Sequence, residues 1–368
     1  MAKKKTSPKK RVSKTPGQLR QALRRTDREI VKLLNERGKQ TQRLAELAED
    51  ATSIMDWHAI EGVTEQAVAA NKGPLDATVI RAVFRELTSG IRRLMAPIRV
   101  AYLGPIYSYS HLAAVERFGG QVELIAVATI AAVFEAMNRR QADYGLVPIE
   151  NSTDGRVADT LEMFARLPVR ICGIVPLRIH HHLLGKCARQ EIREVYSKPQ
   201  ALSQCRDWLA KQVPDARLVE MTSTAAAARV AADKPGAAAI ASRQAGTQYG
   251  LDVIAGNIED NRHNMTRFAV IGGRPAAPTG HDKTALMFEI AHQPGALADA
   301  MMVFKRNMLN LTWIESFPIA DAENEYLFFV EFEGHQNDAK AVRAIQSLGR
   351  KTVRMEVLGS YAEVAPIE

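Results

Sequence analysis

Cysteine is scarce: 3 residues in 368, at Cys172, Cys187 and Cys205, and no two of them form a C-x-x-C pair. This excludes a disulfide framework or thiolate zinc ribbon, and it fits a reducing, cytoplasmic compartment in which each thiol is a small packed side chain. Long apolar runs are also missing. The longest nearly apolar stretch, residues 124–134, is too short to span a bilayer. No apolar segment follows the N-terminal charges, so no secretory signal is read there. Acid is absent from residues 1–14, which carry seven cations: Lys3, Lys4, Lys5, Lys9, Lys10, Arg11 and Lys14. The formal net charge is +8, and subtracting those seven leaves +1 for the rest. The basic balance therefore belongs to a tail, residues 1–15, expected to be a solvated, disordered extension. No aromatic residue interleaves its lysines, so nucleic acid is not an expected partner. One further absence is internal: residues 44–71 contain no lysine or arginine.

What is present is patterned. Thr15-Pro16 forms an N-cap with proline at the first helical position. Leu19, Leu23, Ile30, Leu33, Leu34, Leu44 and Leu47 then fall near helical spacing. The pattern predicts a helix of about 35 residues, roughly 50 Å long. A shorter helix is expected over 56–70, and a third is marked by Val79, Ile80, Val83, Phe84, Leu87, Ile91 and Leu94. Three such helices over 16–96 do not close a compact globule. The expectation is a helical dimerisation bundle in which the long helices of two copies cross.

At Ile98 the period changes. Strand and helix patterns alternate over 98–272, which argues an α/β domain. A strand is expected at 99–103 and helices at 110–118, 129–138, 201–211, 224–233 and 242–249. Residues 273–282 are a linker by their Gly and Pro content. Over 283–364 the order is strand, helix, two strands, helix, strand, a ferredoxin-like βαββαβ pattern. The fold class is thus multidomain: α, then α/β, then α+β.

The stretch from Asp143 to Gly155 carries chemistry. An apolar strand pattern, residues 144–149, ends in Glu150, Asn151 and Ser152. Ligands of open α/β sheets bind outside the carboxyl ends of strands. A carboxylate, an amide and a hydroxyl there orient a small polar molecule, or else cap the helix that follows. His180-His-His182 invites a metal reading, but a strand puts only two of the three on one face, which is too few ligands. No metal and no cofactor are expected.

Four segments then resemble prephenate dehydratase, in the order of that family. Its G-P-x-G-[ST]-[FY]-S-H-x-A-A segment reads Gly104-Pro-Ile-Tyr-Ser-Tyr-Ser-His-Leu-Ala-Ala114. Its V-P-I-E-N-[ST] is Val147 to Ser152, its S-x-P-Q-A-x-x-Q-C is Ser197 to Cys205, and its N-x-T-R-F is Asn264 to Phe268. The resemblance implies a two-lobed, periplasmic-binding-protein-like domain with substrate between the lobes. Tyr107 departs from the pattern by replacing a glycine. A tyrosine adopts positive φ only at a cost, so a differently shaped loop is expected there.

Residues 283–361 resemble an ACT domain, an amino-acid-sensing module. Gly295, Ala296 and Leu297 match its G-A-L motif, and Glu315 and Ser316 match the start of its E-S-R-P, with Phe317 in place of arginine. Phenylalanine is the implied effector. Residues 16–96 resemble a chorismate mutase domain. Arg20 and Arg37 match its arginines and Asp56 and Ser89 its polar positions, but its lysine falls at Ala48, its Arg-Glu pair near Ala59-Ile60, and its Gln or Glu at Arg93. No register restores cations to 44–71. Each lost charge-assisted bond to a carboxylate is worth about 1.5–3 kcal/mol, so the pocket is read as vestigial.

The resemblance implies that prephenate loses carbon dioxide and its ring hydroxyl to give phenylpyruvate. Thr266, from the T-R-F threonine, is the expected catalytic hydroxyl, acting as an oriented donor because its pKa is so high. Glu150 is either an acid with a raised pKa that assists Thr266, or an ionised group that orients its neighbours. Ser108, Ser110 and His111, with Ser223 and Thr224, are expected at anion-binding helix N-termini. Asn151 and Ser152 complete the substrate set. Arg267 is a carboxylate clamp or a structural ion pair. Rival readings are a fully bifunctional mutase–dehydratase, an arogenate dehydratase, and a non-catalytic amino-acid sensor. The expected assembly is a homodimer or larger homo-oligomer.

Overall fold

A computed structural model of the chain describes residues 15–47, 57–95, 97–272, 276–318 and 326–367. The basic tail, Asp56 and part of the linker lie outside them. Two compact units divide the chain at Ala59. The first contains α1 (Pro16–Leu47), a 32-residue helix with no buried residue. Leu19, Leu23, Ile30, Val31, Leu33, Leu34, Leu44 and Leu47 are exposed along it. Such an apolar stripe ordinarily faces a core.

The remaining elements follow in order: α2 (Trp57–Ala70), α3 (Ala77–Met95), β1 (Arg99–Leu103), α4 (Tyr109–Phe118), β2 (Glu123–Val127), α5 (Ile130–Asn138), β3 (Tyr144–Asn151), β4 (Gly155–Arg156), α6 (Ala158–Arg166) and β5 (Arg170–Arg178). Next come β6 (His182–Gly185), β7 (Glu194–Ser197), α7 (Pro199–Gln204), α8 (Arg206–Gln212), β8 (Arg217–Glu220), α9 (Thr224–Asp233), β9 (Ala237–Ala241), α10 (Arg243–Tyr249), β10 (Asp252–Ala255) and β11 (Met265–Gly272). The chain ends with β12 (Asp282–Glu289), α11 (Ala296–Arg306), β13 (Leu311–Pro318), β14 (Tyr326–Glu333), α12 (Ala339–Gly349) and β15 (Arg354–Ala362). The single helix expected over 201–211 is two, because Cys205 leaves helical geometry at φ −118 and ψ 15.

Two sheets form the α/β region. The first has the order β2-β1-β3-β11-β5 and the second β10-β6-β9-β7-β8. The chain crosses from the first lobe to the second at 179–181 and returns through 256–264. β11 therefore enters the first sheet antiparallel between β3 and β5. Their apolar residues alternate into cores on both faces. The third sheet, β13-β14-β12-β15, is wholly antiparallel. α11 and α12 cover one face through Phe304, Ala341 and Leu348 against Leu286, Phe288 and Phe332. Its other face brings Met287, Leu327 and Phe329 against Phe134, Leu161 and Phe164 of the first lobe. The βαββαβ segment is thus fused to the sheet that carries Asn151 and Thr266.

α3 docks on the end of α4. Glu86 accepts the Gly120 N–H, and the Ser89 hydroxyl accepts the Gln121 N–H at 3.2 Å. Ser89 is buried, and a Cβ on Gly119 would lie 2.5 Å from its own Cβ. Arg93 donates to Gln121 at 3.0 Å. The side chain expected in a mutase pocket is therefore spent on a helix-to-lobe contact. Arg20 is exposed and Arg37 half-buried on α1.

Candidate active site

The polar end of β3 meets the start of β11. Thr266 faces Asn151 and Arg267 faces Glu150 across the pair, but Phe268 faces Pro148. Ile149 is therefore an extra residue, a bulge. Bulges re-aim the side chains beyond them. Val147 and Ile149 point into the core shared with the third sheet. Strict alternation would send Asn151 the same way. The bulge instead turns Glu150 to that side and Asn151 to the opposite face, beside Thr266.

On this second face the polar groups form one chain. Asn151 Oδ1 accepts the N–H groups of Thr153 and Asp154, at 2.9 and 3.1 Å. Its amide nitrogen is thereby free to donate to Thr266 Oγ1 at 2.8 Å and to Asn264 Oδ1 at 3.0 Å. Thr266 accepts through a lone pair, so its own O–H is left to donate elsewhere. Asn264 donates to Gln204 Oε1 at 2.9 Å, which also contacts His181 Nε2 at 2.9 Å. Gln204 Nε2 donates to Asp154 at 2.7 Å, so α7 of the second lobe is tied to the turn after β3. Gln204 and Asn264 stand inside the quoted motifs, yet motif spacing alone assigned them no role.

The first face is charged. Arg267 donates to Glu150 at 3.0 Å and also pairs with Glu331 of β14. Glu331 further accepts from Thr312 and Tyr361. Burial pushes the Glu331 carboxyl up, but Arg267, Thr312 and Tyr361 outweigh it and leave its pKa lowered. Burial likewise works against the Arg267 charge, and Tyr361, Glu331 and Glu150 outweigh it. The pairing of Glu150 with Thr266 as joint proton donors is therefore corrected: the two side chains leave their strands on opposite faces. Arg267 is engaged in ion pairs with Glu150 and Glu331. The Ser152 hydroxyl donates to His263 O and accepts the Met265 N–H, which ties the ends of the strand pair together.

Of the remaining candidates, Ser223 lines a cleft of about 460 Å³ between the lobes, with Gly104, Pro105, Val127, Thr222, Arg229 and Tyr249 among its other walls. Ser108 caps α4 by accepting the His111 N–H, and Ser223 caps α9 by accepting the Ala226 N–H. Ser110, His111 and Thr224 are buried in the first turns of those helices. Burial lowers the His111 pKa. Tyr107 does adopt the left-handed conformation, at φ 66. The cost of about 1–3 kcal/mol is met by contacts: its hydroxyl donates to Gln248 at 2.8 Å, and its ring packs on His111 and Tyr249. Tyr107 thus holds the left-handed conformation that a glycine adopts freely.

Residues 100–276 match the prephenate dehydratase family, and residues 19–96 match chorismate mutase type II. A bifunctional chorismate mutase/prephenate dehydratase of Aquifex aeolicus (strain VF5) is 39% identical over 352 residues, which span 94% of this chain and 97% of the relative. The chain belongs to the prephenate dehydratase family. A second relative with the same bifunctional name, from Neisseria gonorrhoeae, is 38% identical over 93% of this chain and 95% of its own. Both names weigh against the expectation of a lost mutase. A crystal structure of prephenate dehydratase from Arthrobacter aurescens in complex with L-Phe covers 72% of this chain and 90% of its own, with a TM-score of 0.68 and 30% identity.

In this dehydratase-family chain, the proposed effector residues fall in two places. Gly295, Ala296 and Leu297 line a hollow of about 320 Å³ with His292, Tyr326 and Phe328. Gly295 sits at φ 85, a conformation that favours glycine. Glu315 and Ser316 lie on β13 instead, where Arg156 donates to the Glu315 carboxylate at 3.0 Å and to Ser316 O at 2.7 Å. Phe317, in the arginine position, stacks on Phe329.

Proposed function

We propose that this chain converts prephenate to phenylpyruvate, with Thr266 as the catalytic hydroxyl. The observation that carries the reading is the Asn151-to-Thr266 hydrogen bond, which occupies an acceptor position on Oγ1 and leaves the O–H to donate. Prephenate presents a ring hydroxyl and two carboxylates. As the bond to the ring carboxylate breaks, its electrons enter the ring and carbon dioxide leaves. The hydroxyl departs from the opposite carbon, assisted by the Thr266 hydrogen bond, and takes up one proton, drawn in net from solvent, to leave as water. Aromatisation supplies the driving force. The capped N-terminus of α9, with Ser223 and Arg229 lining the cleft, suits the dianion. Purified protein incubated with prephenate should give phenylpyruvate absorbance, lost in Thr266→Val with folding intact. An unchanged rate in that variant would remove Thr266 from the mechanism. Parallel assays with arogenate decide between the two substrates.

Phenylalanine is the proposed effector, bound at the hollow beside Gly295, Ala296 and Leu297. Such control requires different affinity for two conformations. Unchanged activity and melting temperature with phenylalanine would end that reading. A second copy of the chain is the proposed cover for the apolar stripe of α1. The mutase supports a second reading. The bifunctional relatives favour activity, whereas the cation-free 44–71 segment and the buried Ser89 oppose it. Prephenate formation from chorismate above the spontaneous rate decides the matter.

A further inference from the structure

We infer that His181 is a positioning residue for the dehydratase reaction, holding the Gln204 end of the hydrogen-bond chain that leads to Thr266. The inference rests on the dehydratase reading. His181 is 2% exposed and stands in the crossing between the lobes. Three side chains, Gln204, Asn264 and Asn151, link it to the Thr266 hydroxyl.

The direction of every bond follows from one end. Asn151 Oδ1 is committed to two backbone N–H groups, so its amide nitrogen must face Thr266 and Asn264. Asn264 then accepts from Asn151 through its oxygen and offers nitrogen to Gln204. Gln204 receives that donor on Oε1, while its own nitrogen is held by Asp154. The partner facing Gln204 Oε1 from the other side must therefore donate, and that partner is His181 Nε2. The ring is thus the Nε2–H tautomer; its Nδ1 lies 3.1 Å from the Tyr109 hydroxyl, whose single proton is shared with the nearer His180 carbonyl oxygen at 2.7 Å. Glu259 holds the segment in place by accepting the His181 backbone N–H at 2.9 Å and pairing with His180 at 2.8 Å. Burial dominates the ring's titration and lowers its pKa, consistent with a neutral ring.

Gln204 belongs to the second lobe and Thr266 to the first. A donor at His181 Nε2 thus holds in place an amide that spans the lobes, and with it the position of the Asn264–Asn151 chain that reaches Thr266. Without that donor, Gln204 is held on Oε1 by Asn264 alone, and a misplacement near 1 Å at a reacting group costs about 10²-fold in rate.

The test compares His181→Leu with His181→Gln. The leucine removes the donor, and the glutamine returns an N–H at similar reach. His181→Leu should lower kcat about 10- to 100-fold with KM changed less than about 3-fold, and His181→Gln should recover most of kcat. Wild-type kcat in His181→Leu, or equal loss in both variants at parental melting temperature, overturns the inference. Because the leucine can also harm folding, the ring tautomer of the unaltered protein is read by long-range proton–nitrogen NMR. An Nε2–H ring supports the proposal and an Nδ1–H ring overturns it. This spectroscopic arm needs no turnover. Failure of the dehydratase reading itself shows separately, as an unaltered protein that leaves prephenate untouched.

Discussion

The two faces of the β3–β11 pair carry opposite kinds of polarity. One holds neutral amides and a hydroxyl, Asn151, Asn264 and Thr266, joined in a directional chain. The other holds Glu150, Arg267 and Glu331, a charged network that ties the pair to β14. Neighbouring residues in sequence thus serve different ends. The neutral face carries no charge and leaves the Thr266 O–H to donate elsewhere. The charged face is a strong, buried connection between the reacting strand and the βαββαβ segment. The comparison teaches that adjacency in a motif does not mean cooperation in a site.

The comparison breaks most sharply at Thr266. Thr266→Val should lower kcat by about 10²–10⁴-fold and leave the urea midpoint nearly unchanged, because the valine keeps the shape of the side chain. Arg267→Met should do the reverse. It strands the Glu331 carboxylate, whose side chain is 2% exposed, and removing one partner of a buried pair costs about 3–5 kcal/mol. Urea unfolding should show this, while kcat of the folded fraction falls far less than in Thr266→Val. Equal kinetic losses in both variants would erase the distinction between the faces.

The pH dependence of melting sharpens the comparison. Burial lowers the pKa of His182 to about 4, with Arg243 adding to the effect. Its contribution to stability is fully present above the ordinary histidine value of 6.5 and is lost as pH falls toward 4. The lowered Glu331 carboxyl acts in a more acidic window: its contribution is present above 4.5 and is lost as pH falls through its folded pKa. Melting temperatures taken from pH 7 downward should therefore decline in two stages, and Glu331→Gln should weaken the acidic one, to which the lowered Glu194 and Glu65 carboxyls also contribute, and leave the histidine stage in place. The smallest effect is expected at Tyr107→Gly. Relief of left-handed strain and loss of the Gln248 hydrogen bond are each worth about 1 kcal/mol, so stability should stay within about 1 kcal/mol of the parent.

Much of the fold is legible in the residues. The strand at 99–103 and the helix at 224–233 coincide with β1 and α9, because short apolar alternation and a Ser-Thr cap leave few other choices. The βαββαβ order also follows from periodicity. The break at Cys205 does not, since nothing local opposes a continuous helix there. The conformation of Tyr107 misled sequence reasoning, because a penalty of local sterics is offset by partners more than 130 residues away. Gln204 and Asn264 lay in view inside their motifs, but their partners come from other elements.

Residue order alone determined which chemical groups stand at the strand end, and that they include a threonine, an amide and a carboxylate. It also set the absence of cations from 44–71, a fact of composition that no fold alters. Tertiary structure alone decided which of those groups work together. The extra residue at Ile149 shifts the alternation by one, and the side-chain period of a strand is two, so a single inserted position sends Asn151 to Thr266 and Glu150 to Arg267.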